Sequence, residues 1–273
     1  MNALARRMYE LIEPIGLIPY SADEANEAMF ALGFTNYWDT YFAGRAAPLG
    51  LVPAEVVDAL FYNFAPGEVA RHIPKVWRTT TPEAALAARR QGCAKALRRI
   101  LGNRVDSLGF ARATDLLMKA ATSVPWEGRP MYAALRALPI PDDLAARMFH
   151  AASLLREHRG DGHIAALVSE GVGGLEAHVL LALDMGMRAE KFGRIHHLPQ
   201  AQLAAVVGGM RDRGLIADDG WLSEQGRAVK RRVEALTDEL AATPYARLTP
   251  EELAELMTTL EPLAAALRAT QDN

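Results

Sequence analysis

The densest run of chemically able side chains in this sequence is Arg156-Glu157-His158-Arg159-Gly160-Asp161-Gly162-His163. An aspartate and a histidine near one another can do acid–base work, because imidazole titrates near neutrality and a carboxylate can orient its ring. His158, Asp161 and His163 are therefore the candidate catalytic residues. Arg159 suits a carboxylate or phosphate on a ligand, since a guanidinium presents a planar fork of donors. Two glycines interrupt a helical pattern here, and glycine costs about 1 kcal/mol against alanine in a helix interior. The simplest expectation is a loop between two helices. Its side chains then either cap helix ends or turn into a cleft beside Arg45, where they bind or transform a ligand. Zinc fits less well: His158, Asp161 and His163 lack a standard ligand spacing, and His150 and His178 join them only if the fold brings them in. No metal site and no cofactor is expected.

The helix expected beside that cluster is rich in aromatic residues. Ser21 and Glu24 have the spacing of a capping box, which predicts a long helix from there to about Gly44. It carries Phe30, Phe34, Tyr37, Trp38, Tyr41 and Phe42, in a chain only 7% aromatic. Such rings build a core, or several of them wall a small-molecule pocket with a few placed polar groups. Tyr37, Trp38, Tyr41, Arg45 and Arg159 are the candidate ligand-binding residues.

The stretch from Glu176 to Glu239 reads as three helices, a two-stranded wing and a long helix. After Pro199, Leu203, Val206, Val207 and Met210 share one helical face. Gly214 stands where that helix needs a left-handed residue to end. Asp219-Gly220 is a hairpin signal between Leu215-Ile216 and Trp221-Leu222, and Ser223 caps a helix with Val229, Val233, Leu236 and Leu240 on one stripe. The run Arg213-Gly214-Leu215 followed by Leu222-Ser223-Glu224-Gln225-Gly226 resembles the winged helix-turn-helix of MarR-type bacterial regulators. The whole chain more loosely resembles a group of actinobacterial helix-turn-helix proteins. The resemblance implies a DNA-binding fold, with a ligand pocket in many members. On it, Arg188, Lys191, Arg194, Arg211 and Arg213 are the candidate phosphate contacts, and Gln200 and Gln202 the candidate base readers. Asp218-Asp219 departs from the family's basic wing, and carboxylates there are repelled by a phosphate backbone. DNA is thus a partner that the helices favour and the wing opposes.

The sequence also reads as a degenerate tandem duplication. Met29-Phe30 corresponds to Met148-Phe149 and Ala46-Ala47 to Ala165-Ala166 at an offset of 119, and Thr81-Pro82-Glu83 with Arg89-Arg90 to Ser223-Glu224-Gln225 with Arg231-Arg232 at an offset of 142. The expected fold is all-α with a small β-wing, in two winged-helix-like halves. Residues 1–122 form the degenerate half. Residues 129–273 form the second, with the winged helix at about 173–241. The two make a pseudo-dimer within one chain, and the apolar stripe Leu253, Leu256, Leu260, Leu263 and Leu267 of the last helix packs on the first helix or on a second copy.

Composition sets the outer bounds. The 273 residues allow a sizeable core, and half are hydrophobic. A net charge of −3 announces no nucleic-acid field over the whole chain. The single cysteine, Cys93, excludes an intrachain disulfide and fits a buried structural role. No apolar run approaches the ~18 residues of a membrane span and no signal peptide is legible, so the expected location is the cytoplasm, without a membrane partner. Nucleophile-elbow, Walker, dinucleotide-binding and zinc-finger patterns are missing from the sequence. Two functions remain: a small-molecule-responsive DNA-binding transcriptional regulator, or a winged-helix scaffold that binds or transforms a small molecule between its halves.

Overall fold

The structure is a computed structural model and describes residues 2–192 and 198–271. Among these residues it is all-α, with no strand. The first helices are α1 (Asn2–Gly16), α2 (Ile18–Ser21), α3 (Asp23–Phe30), α4 (Tyr37–Ala46), α5 (Ala54–Phe61) and α6 (Glu68–His72). Next come α7 (Pro82–Leu101), α8 (Leu108–Thr122), α9 (Pro130–Arg136) and α10 (Leu144–Ser169). The last are α11 (Gly174–Asp184), α12 (Gln200–Asp212), α13 (Glu224–Leu240) and α14 (Pro250–Gln271). No single helix among the described residues is long and apolar enough to cross a membrane.

The chain divides into two compact units, both discontinuous in sequence. The first comprises Met1–Val52, His72–Asp161 and Asp238–Asn273; the second comprises Pro53–Arg71 and Gly162–Thr237. Residues 122–129, where the sequence suggested a boundary, lie within the first unit.

In the first unit, α14 lies against α1 and α8. Its Leu256, Leu260, Leu263 and Leu267 are buried in one core with Met8, Leu11 and Ile15 of α1 and Leu116 and Leu117 of α8. Each such side chain contributes about 1.5–3 kcal/mol when fully buried, which makes this stripe a principal support of the unit. A capping box closes its start: Glu252 accepts the Thr249 N–H at 3.0 Å, and Thr249 accepts the Glu252 N–H at 3.2 Å. Thr81 caps α7 by accepting the Ala84 N–H at 3.2 Å. Cys93 is buried in this core, and burial pushes its thiol up to about 12, so it is an inert packing residue.

α1 runs through Pro14 to Gly16. Two expectations are corrected here. The long aromatic helix is interrupted: α2 ends at Ser21, Ala22 starts α3 without a side-chain cap, and the chain turns through Gly33 before Asn36 caps α4 by accepting the Asp39 N–H at 2.9 Å. Glu24 does not close a capping box, because its carboxylate is paired with Arg99 of α7. Finally, α10 is one helix through Gly160 and Gly162, so the expected loop does not exist. Its Ala151, Ala152, Leu154 and Leu155 are buried, and that burial outweighs the ~1 kcal/mol that each glycine costs in a helix.

In the second unit, Val179 and Leu180 of α11, Leu203 and Met210 of α12, Leu215 and Leu222, and Val229 and Val233 of α13 share one core. Tyr62 donates to the Val172 carbonyl at 2.6 Å and ties the end of α5 to the start of α11. The expected two-stranded wing is a tight turn with a single antiparallel bridge, Ile216 to Leu222. Its arms cannot lengthen, because α12 closes just before Leu215 and Ser223 already caps α13.

Candidate functional site

The second unit is built around the end of α12 and the start of α13. Gly214 takes φ +70°, its N–H donates to Arg211 O at 2.7 Å and the Leu215 N–H donates to Met210 O at 2.8 Å. This is the Schellman end for which only glycine is unstrained. The chain then turns at Ala217–Gly220, where the Gly220 N–H donates to Ala217 O at 2.9 Å. Ser223 accepts the Gly226 N–H at 2.9 Å and caps α13. A Cβ on Gly226 would lie 2.1 Å from the Leu215 carbonyl oxygen, so the returning backbone can cross the first turn of α13 only there. Gly226→Ala is expected to cost more than about 2 kcal/mol, read as a lower urea midpoint.

A helix-turn-helix family model matches residues 5–272. The chain belongs to that helix-turn-helix family. Neither the curated proteins nor the solved structures contain a match to it.

Helix α12 follows α11 and the 3-10 turn Ala189–Lys191 in the chain. Gln200 and Gln202 are exposed at its N-terminal end, followed by exposed Ala204 and Ala205. Of the candidate phosphate contacts, Lys191 and Arg211 are exposed; Arg194 lies outside the described residues. Arg188 is committed to the turn: its guanidinium lies 4.2 Å over the Trp221 ring, and Nη1 donates to Gly220 O at 3.1 Å. Arg213 donates to Gly171 O at 3.0 Å and pairs with Glu176 at 2.6 Å. On α13, Arg227 and Arg231 pair with Glu224, and Arg232 pairs with Glu170. Residues 162–237 hold nine Lys/Arg against nine Asp/Glu, and Asp218 and Asp219 are exposed on the turn. This stretch of the chain therefore lacks a strong basic field.

The polar run on α10 is not gathered into one site. Asp161 accepts the N–H groups of Met131 at 3.3 Å and Tyr132 at 2.9 Å, which places a carboxylate on the first turn of α9. Burial pushes its carboxyl up to about 6 against the opposing pull of those two N–H groups. His158 is buried edge-on to Tyr132, and burial together with Arg129 lowers its imidazole to about 4. Arg129 itself donates to His158 O at 2.5 Å and Leu240 O at 3.0 Å. Arg159 pairs with Asp238 at 2.7 Å and lies 4.5 Å over the Tyr9 ring. His163 donates to Thr237 at 2.9 Å, because the Thr237 hydroxyl proton is given to Val233 O. Asp161 and His163 stand two residues apart on one helix, about 200° round its axis, so they form no acid–base pair. Among the described residues no group of three or more His, Cys, Asp or Glu is placed to hold a metal ion.

The aromatic rings do come together. Tyr41 is near the centre, with Tyr20 at 5.2 Å, Trp38 at 5.5 Å and Tyr37 at 6.3 Å between ring centroids. Arg45 donates to the Tyr41 hydroxyl at 2.8 Å. The space enclosed beside them is about 10 Å³, room for roughly one water. Sequence reasoning missed the ionic network alongside. Arg156 grips Glu13 at 3.0 and 3.2 Å and Glu157 at 3.0 Å, and Arg89 donates to Gly44 O at 3.1 Å and the Tyr20 hydroxyl at 3.3 Å. It also missed Asp39, which is buried between His72 at 2.7 Å and Lys75 at 2.9 Å while His72 stacks on Phe42. Their sequence separations left no local signal.

Proposed function

We propose that the protein is a MarR-like, small-molecule-responsive DNA-binding transcriptional regulator in which α12 enters the major groove. The observation that carries this reading is a helix-turn-helix family match over nearly the whole chain, joined to the glycine-ended α12, tight turn and Gly226 start of α13 in series. The turn with its single bridge is the wing. Lys191, Arg194 and Arg211 hold phosphates, and Gln200 and Gln202 meet base edges. The tandem origin belongs to the same reading. Helix α7, the 3-10 turn Gly102–Asp106 and α8 recur in order as α13, the 3-10 turn Tyr245–Arg247 and α14, so the chain serves as its own pseudo-dimer.

The test is binding of the purified protein to fragments of its own genome at low and at raised salt. With about three phosphate contacts, the logarithm of affinity falls with the logarithm of salt at a slope near −3, and Arg211→Gln reduces that slope by about 1. Absence of binding at low salt overturns the regulator. A second reading then stands, in which the helix-turn-helix is a scaffold around a small-molecule site. It is favoured by Asp218 and Asp219 on the turn and by the internal pairing of Arg213, Arg227, Arg231 and Arg232.

A further inference from the structure

We propose that a cavity of the first unit, walled by α7, α9, α10 and the segment after α9, binds a small organic anion with an apolar body, held by Arg90 and His150. The proposal stands on the first unit alone and does not depend on whether the second unit holds DNA.

The cavity has a volume of about 230 Å³. At the ~30 Å³ that a water occupies in the liquid, this is room for on the order of eight non-hydrogen atoms. Its walls are mostly apolar, with Leu86 from α7, Leu135 from α9, Leu138 beyond it, and Phe149 from α10. A body without polar groups is the complement of such walls, because it leaves no buried donor or acceptor without a partner.

The polar groups set the sign of the ligand. Arg89 and Arg90 both line the cavity, against one carboxylate, Glu83. Arg89 lies 5.5 Å over the Phe149 ring with Nη1 and Nη2 each donating elsewhere, to Gly44 O and the Tyr20 hydroxyl, so it contributes chiefly field. Arg90 makes no ion pair among the described residues, and its guanidinium is available for a bidentate grip. His150 is 9% exposed, lines the same cavity and makes no hydrogen bond among the described residues. A buried imidazole in that position is a donor awaiting an acceptor. Burial, with Arg136 and Arg90 next, lowers His150 to about 4. It is neutral at pH 7 and donates one N–H, and an anion seated beside it offsets the two arginines.

Three probes with one apolar body separate charge from shape: hexanoate, hexan-1-ol and hexylammonium, titrated calorimetrically into the full chain at pH 7. Hexanoate is expected to bind at least about tenfold more tightly than hexan-1-ol, and hexylammonium not at all. Arg90→Gln, at an exposed position that leaves the core intact, weakens hexanoate about tenfold and leaves hexan-1-ol unchanged. In NMR titrations, saturating hexanoate raises the imidazole pKa of His150. Equal affinity for acid and alcohol, no binding of hexanoate at millimolar concentration, indifference to Arg90→Gln, or an unmoved His150 each overturns the proposal. Failure of DNA binding leaves all these readouts in place, so the two readings fail separately.

Discussion

Glu157→Ala lowers the stability of the protein by about 3–5 kcal/mol, the loss expected when one partner of a buried ion pair is removed. Glu157 is 7% exposed and accepts from Arg156 Nη1 at 3.0 Å. Burial alone would push its carboxyl up, but Arg45, Arg156 and Arg89 together outweigh burial and hold it below the usual range. Three guanidiniums thus lean on this carboxylate, and in the variant Glu13 remains as a carboxylate partner of Arg156. At about 2–4 °C per kcal/mol for a chain of this size, the melting temperature falls by roughly 10 °C. The pH dependence has a fixed sign. Because the folded pKa is depressed, the contribution is full above the unfolded value of 4.5 and is lost as pH falls through the folded value. Urea unfolding of both proteins at pH 7 and at pH 3 measures this: the gap between them narrows at the lower pH. A gap below about 1 kcal/mol at pH 7 would show that the network is not an ionic support.

The second large effect is acid lability from two buried neutral histidines. His150 and His158 are each lowered from 6.5 to about 4, His150 by burial with Arg136 and Arg90, His158 by burial with Arg129. Between those values the unfolded chain binds a proton at each site and the folded chain does not, so stability falls with pH by about 1.4 kcal/mol per unit per histidine. Asp161 acts in the opposite direction. Its carboxyl, raised from 3.8 to about 6 chiefly by burial, takes up a proton in the folded state first, so acidification relieves its cost. The net expectation between pH 6 and pH 4 is a loss of one histidine's worth, about 3 kcal/mol over the two units. Unfolding free energies at half-unit intervals test it. The double variant His150→Asn, His158→Asn reverses the slope in the upper part of that range, where Asp161 takes up its proton before depressed carboxylates such as Glu157 begin to cost stability; a slope unchanged by both substitutions would sink the assignment.

The same residues show what local pattern can reveal. The end of α12 was legible because a Schellman motif needs a left-handed residue at one position, and glycine in the sequence marks it. The caps at Thr81 and Thr249 were legible for the same reason: an N-cap satisfies a donor three residues away, so its whole signal lies within one turn. Ser21 and Glu24 had that signal too, yet Glu24 pairs with Arg99, 75 positions on. A local motif loses where a distant charge offers the carboxylate more. The glycines of α10 misled in the other direction, since their local cost was small beside the apolar burial of the residues preceding them.

The candidate sites were less legible than the fold. Asp161, His158 and His163 are adjacent in the chain, which suggested a joint role, but a continuous helix turns them to different partners: the first turn of α9, the Tyr132 ring and Thr237. Conversely, the cavity beside His150 is assembled from α7, α9 and α10, and no window of sequence contains it.

By itself the sequence determined the helical class, the glycine end of α12 and the Ser223 cap of α13, the buried stripe of α14 and the inert Cys93, because each follows from periodicity or backbone stereochemistry within a few residues. Only the tertiary structure decided which charged groups are buried together, which histidines stay neutral and where a cavity remains. Those depend on Coulomb attraction, desolvation and packing between residues far apart in the chain, and these act only once the helices have met.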